Sequence, residues 1–135
     1  MLKFSDFVKR WGPALVVMAV IFTASSFPSR DLPNFGLWDW LLKKGGHALG
    51  YALLALAYLR GLANGERPTA RQILLAVLLA GLYGATDEYH QSFVAGRGAA
   101  AADVLIDTIG AIVGVGSLSL WLRSRRTNSN SQLEP

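Results

Sequence analysis

Apolar residues along this chain fall into four long runs separated by short polar segments. The first carries no charge from Trp11 to Ser29 and is most apolar over Pro13–Phe27. Pro13 suits the first turn of a helix, where its missing N–H costs nothing. Ser29-Arg30-Asp31-Leu32-Pro33-Asn34 breaks the pattern and predicts a loop. The second run, Gly45 to Ala63, is interrupted only by His47 and Arg60, and Asn64-Gly65-Glu66-Arg67-Pro68 closes it with strong turn chemistry. Thr69 is placed as the N-cap of a third helix that stays apolar to Thr86 and then turns polar at Asp87-Glu88-Tyr89-His90-Gln91. Gly96-Arg97-Gly98 marks a loop. The fourth run reaches Leu122, with Asp103 and Asp107 in its first two turns and Arg123, Arg125 and Arg126 after it. The pattern predicts helices over about 12–28, 45–63, 70–92 and 100–122, in one domain over 1–126, with a disordered polar tail over 127–135.

Each run has the length, about 20 residues, that crosses the hydrocarbon core of a bilayer. A soluble four-helix bundle is the alternative, and it requires a charged face on every helix. Ile73–Leu82 and Ile109–Leu122 have none. The expected fold is therefore all-α: a polytopic membrane protein with four transmembrane helices in a compact bundle. Lys3–Arg10, Pro13–Ile21 and Ala24-Ser25-Ser26 also have the outline of a cleaved signal peptide. The apolar stretch is longer than such peptides use and lacks a small-x-small site, so it reads as a retained span.

Composition agrees. Charged residues are 16% of the 135, well under the usual quarter, and apolar ones 52%, which excludes disorder for the bulk of the chain. The absence of Cys removes thiol nucleophiles, Cys-ligated zinc and iron–sulfur clusters. A net charge of +4 alone is compatible with nucleic-acid binding, but the charges sit at the ends of the apolar runs, so no nucleic-acid partner is expected. With four spans, nine Lys and Arg fall on the side of the termini: Lys3, Lys9, Arg10, Arg60, Arg67, Arg71, Arg123, Arg125 and Arg126. Four fall on the other: Arg30, Lys43, Lys44 and Arg97. That asymmetry puts both termini in the cytoplasm and the loops at Ser29–Lys44 and Ser92–Ala99 outside.

This topology gathers the polar residues. Lys44, His47 and Tyr51 lie at the outer end of helix 2, Asp87, Glu88 and Gln91 at that of helix 3, Arg97 in the outer loop, and Asp103 and Asp107 at the outer end of helix 4. Lys44, His47 and Tyr51 share one helix face, as do Gly84, Glu88 and Gln91, and as do Asp103, Asp107, Gly110 and Gly114. Glycines continuing the Asp stripe let a neighbouring helix approach, which points Asp107 into the bundle; Val115, one position on, is expected to face lipid. His90 points away from Glu88 and Gln91. An acid inside a membrane is costly and is usually paired or functional.

His47 with Glu88, Asp103 and Asp107 can perform general acid–base work. Lys44 and Arg97 can hold an anion, with Tyr51, Asp87 and Gln91 beside them. The same His, Glu and Asp residues suit a divalent metal, but no tight ligand spacing such as H-E-x-x-H occurs, so no metal ligand is assigned. There is no G-x-S-x-G, P-loop or dinucleotide fingerprint, and no cofactor is assigned.

Lys44-x-x-His47-x-x-x-Tyr51, Asp87-Glu88-x-His90-Gln91-x-Phe93-x-x-x-Arg97 and Asp103-x-x-x-Asp107-x-x-Gly110-x-x-x-Gly114, together with Ser25-Ser26, resemble the VanZ-like family over about Phe22 to Gly116. Many relatives carry Asn where this chain has Asp107. The resemblance implies a small multi-pass protein of the bacterial cytoplasmic membrane, in a family named for a protein linked to teicoplanin resistance. Three functions are then compatible with the residues. The cluster binds, and in an enzyme modifies, an anionic amphiphile of the envelope among the membrane lipids, such as a lipid-linked precursor or a lipoglycopeptide. Glu88 and His47 then serve as acid and base, with Asp103 and Asp107 orienting the basic groups. Alternatively, the cluster only locks helices 2, 3 and 4 in a module that serves a partner protein. A proton or ion pathway is the weakest, because the inner halves of the spans offer no ionisable relay.

Overall fold

The computed structural model describes residues 4–28 and 37–131, with side chains beyond the backbone left aside at 37–40, 42 and 126–131. The described residues form four helices and no strand: α1 (Phe4–Ser25), α2 (Leu37–Ala63), α3 (Ala70–Gln91) and α4 (Ala101–Ser131). Their number and order are those the apolar runs predict.

Several boundaries differ, each for a local reason. Helix α1 begins at Phe4, so Pro13 lies in its interior rather than its first turn. Proline there leaves the carbonyl four residues earlier without its helical donor. Arg60 supplies one from α2, its Nη1 donating to Lys9 O at 2.7 Å. Helix α2 starts eight residues before Gly45, so 37–44 are helical rather than part of an outer loop. Gly45 and Gly46 are tolerated inside it, at about 1 kcal/mol each relative to Ala. The rest of the expected loop, 29–36, lies outside the described residues. Helix α4 continues to Ser131, so 127–131 are helical where the sequence suggests a disordered tail; 132–135 lie outside the described residues. The expected start of α3 holds. Thr69 caps it, its hydroxyl accepting from Gln72 N at 3.3 Å while Gln72 Oε1 accepts from Thr69 N at 2.8 Å. The preceding turn places Asn64 and Gly65 at positive φ (50° and 89°), as the Asn-Gly pair allows.

Helix α2 is the hub. It touches all three other helices, most extensively α4, whereas α1 and α4 do not meet. The core is Tyr51, Leu54, Ala55 and Leu59 of α2, Ala76 and Ala80 of α3, and Ala111 and Val115 of α4. Small residues set the spacing. A methyl group added at Gly110 would overlap the Ala48 backbone, with Cα and the carbonyl carbon 2.8 Å away. One at Gly114 would lie 3.0 Å from Ala52 Cα. The Asp107/Gly110/Gly114 stripe therefore faces α2, as its spacing implies. Val115, expected to face lipid, is instead buried. Helix α4 packs on α3 as well as α2, so it buries a second stripe, Asp107/Ala111/Val115, beside the first.

The outside is as apolar as the inside. Val16 and Val20 on α1, Leu49 and Leu53 on α2, Leu74, Leu78 and Leu82 on α3, and Ile112, Val113 and Leu120 on α4 are all exposed. Soluble monomers seldom carry apolar patches of this extent. By length and composition, α1 and the Ala101–Arg125 part of α4 are each able to cross a membrane.

Candidate functional site

Two devices gather the polar side chains. The close contact of Ala48 and Ala52 with Gly110 and Gly114 draws α2 and α4 together, bringing His47 Nδ1 to 3.3 Å from Asp107 Oδ1. Gly84 of α3 leaves room on the third side. A methyl there would touch both Tyr51 Cε1 (3.4 Å) and Asp107 Oδ2 (3.5 Å). One tier outward, Lys44 pairs with Asp103, again linking α2 to α4. Three helices thus meet around a polar centre.

The polar residues divide into two groups. The first clips α1 to α3 and is paired except at Asp87 Oδ1. Ser25 Oγ donates to Asp87 Oδ2 at 2.6 Å, and Gln91 Nε2 donates to the same oxygen at 2.8 Å. Arg97 closes this end of the bundle: Nε donates to Phe27 O (2.9 Å), Nη2 to Ala24 O (3.2 Å) and Nη1 to Gln91 Oε1 (3.0 Å). Its planar fork satisfies carbonyls that the end of α1 leaves without helical donors. His90 points away from the polar centre, as expected, and meets α1, with Nε2 3.0 Å from Ser26 Oγ and its ring stacked on Phe22 at 4.4 Å. Lys44 and Arg97, read from the sequence as anion-holding groups, are both engaged within the protein.

The second group is not satisfied. His47 Nδ1, Tyr51 OH, Asp87 Oδ1, Glu88 Oε1 and both oxygens of Asp107 are buried without a hydrogen-bonding partner. Asp107 is fully buried, and Glu88 is 4% exposed. Glu88 is fixed by its other oxygen, which accepts from Ala100 N at 2.9 Å and so tethers the start of α4 to α3. The His47 side chain is 23% exposed, so the group reaches the surface at that edge.

All nine residues singled out in the sequence lie in this one assembly. Ser25 was not among the predicted site residues. Its sequence signals are a Ser-Ser pair ending an apolar run and the family resemblance at Ser25-Ser26, and its bond to Asp87 spans 62 positions. Tyr83 was missed as well; its hydroxyl donates to Met18 O at 2.7 Å and ties α3 to α1.

Comparison with curated proteins and with solved structures finds no match. A family model does match: the one described as VanZ/LLP1 covers residues 11–122, which take in the polar centre and part of every helix, and the chain belongs to that family.

Proposed function

We propose that this protein is a four-span membrane protein whose His47, Glu88 and Asp107 centre binds an anionic amphiphile of the cell envelope and acts on it. The observation that carries this reading is a group of six buried polar atoms without a hydrogen-bonding partner, five of them on His47, Tyr51, Glu88 and Asp107. Native proteins pair nearly all their buried polar groups, and the exceptions concentrate where something else is bound or transformed. A cluster that served only to lock helices would pair its polar atoms, as the Ser25–Asp87–Gln91–Arg97 clip does for all but Asp87 Oδ1. That clip supports the locking reading for the rim of the cluster, while the inner group supports a site. Membership of the VanZ/LLP1 family favours an envelope role, with a lipid-linked precursor or a lipoglycopeptide as the candidate ligand class. The test is the lipid that accompanies the protein. Extracted in polymer-bounded membrane discs, the wild type should be enriched in an anionic amphiphile over bulk membrane, and Glu88→Gln should lose that enrichment. Identical lipid profiles would contradict the proposal.

All four helices span the membrane in this reading. The apolar belt runs over every helix, and the buried contact of Ser25 with Asp87 and the half-buried one of Tyr83 with Met18 make α1 a working part of the bundle. The excess of Lys and Arg near Arg10, Arg67 and Arg123 supports a cytoplasmic side for both termini in a bacterial cell, and with it an outer-leaflet polar centre. Reporter fusions after Arg67 and after Arg97 should read cytoplasmic and external respectively; the reverse pair would move the site to the inner face.

A further inference from the structure

The unsatisfied group has the make-up of a metal-ligand set. His47 comes from α2, Glu88 from α3 and Asp107 from α4, and one ligand-capable atom of each lies within 4.8 Å of the other two. His47 Nδ1 and Asp107 Oδ1 stand 3.3 Å apart. Two donors about 2.1 Å from a tetrahedral ion stand about 3.4 Å from one another, so this edge already has the required length. The donors are nitrogen and carboxylate oxygen, which suit first-row divalent ions better than calcium or magnesium, whose sites are all oxygen.

Charge points the same way. A buried carboxylate without a partner is costly. Neither Lys44 nor Arg97 relieves Glu88 or Asp107: Lys44 is on Asp103, and Arg97 is on Gln91 and two main-chain carbonyls, while Asp107 has the His47 imidazole beside it. Asp87 is partly answered by Ser25 and Gln91. That leaves two carboxylates and one imidazole, whose formal charge a divalent cation cancels. Outer contacts are in place too. Ala100 N–H holds Glu88 Oε2 and turns Oε1 loose for coordination, the kind of support that orients metal ligands.

We propose that His47, Glu88 and Asp107 bind one first-row divalent cation, of the Zn²⁺ class, through His47 Nδ1, Glu88 Oε1 and the Asp107 carboxylate. Three protein ligands leave a fourth position for water or a ligand oxygen, as in catalytic rather than structural sites. This inference rests on reading the cluster as a functional site, and it deepens that reading. A cation between the carboxylates turns an acidic centre into one that accepts an oxyanion, which Lys44 and Arg97 are not free to do.

The experiment is a Zn²⁺ titration of the full-length protein, stripped with chelator and held in detergent. Bound metal is counted by elemental mass spectrometry after gel filtration, and thermal unfolding is followed in parallel. The wild type should bind one ion per chain and unfold at a higher temperature with Zn²⁺ than without. Asp107→Asn and His47→Gln should each weaken binding at least tenfold while eluting as the wild type does. Glu66→Gln, in the exposed turn between α2 and α3, should bind normally. If Asp107→Asn does not fold, His47→Gln, at a partly exposed side chain, carries the comparison. Absence of saturable binding by the folded wild type, or unchanged affinity in the variants, overturns the site. Lipid enrichment that survives chelation together with a blank titration removes the metal and leaves the amphiphile reading intact. Metal binding without lipid enrichment removes the amphiphile reading alone.

Discussion

Replacing Gly110 with Leu should abolish the folded bundle. Even a single methyl at this position overlaps the backbone of Ala48, which cannot move aside as a side-chain tip can. Overpacking against side chains typically costs about 1–3 kcal/mol, and a clash against main chain should exceed that. The expected readout is loss of monodisperse protein in detergent. Val113→Leu, three residues on at a position 59% exposed, should yield protein like the wild type. Gly110→Ala should fall between them. The substitution acts on function as well as folding, because the same contact sets the spacing of His47 and Asp107. Equal yields from Gly110→Leu and Val113→Leu would mean that α2 and α4 do not approach as described.

The second large effect concerns function alone. His47→Gln, Glu88→Gln and Asp107→Asn preserve size and hydrogen-bonding capacity while removing an imidazole or a charge. In a strain lacking its own copy, each variant should accumulate like the wild type and each should fail to restore the lost envelope phenotype. Groups that act as one unit are strongly non-additive, so double variants should be no worse than singles. Asp103→Asn, whose partner Lys44 is partly exposed, should be milder. Full complementation by Glu88→Gln would remove it as an essential acid, base or ligand.

Much of this was legible in the residue order. Four runs and their turns gave four helices, and Thr69 marked the start of α3, where Gln72 completes the cap. The Asp107/Gly110/Gly114 spacing identified the face of α4 that meets a neighbouring helix, which the structure shows to be α2, because small residues at helical period imply close backbone approach. Other features needed the tertiary structure. Gly45-Gly46 reads as a helix start, yet α2 passes through it. Val115 reads as lipid-facing, yet α4 has two neighbours and buries a wider arc than one stripe. The partners of Arg97 are main-chain carbonyls at Ala24 and Phe27, which no side-chain pattern encodes. The division of the cluster into a largely paired clip and an unsatisfied centre depends on rotamers and cross-helix distances. The sequence could assemble the residues but could not tell which of them were already engaged.

That division is the central claim, and Asp107 tests it most directly. Both its oxygens are buried without a hydrogen-bonding partner, and His47 Nδ1 at 3.3 Å is its nearest ion-pair atom. If Asp107 serves a site, it is held there at a cost in stability, and a neutral isostere relieves that cost. If it serves as a lock, its removal leaves the bundle with a broken buried pair, typically worth about 3–5 kcal/mol. The measurement is the melting temperature of Asp107→Asn against the wild type, both with chelator so that no metal contributes. Asp107→Asn should melt at or above the wild-type temperature. A variant that melts several degrees lower would contradict that division.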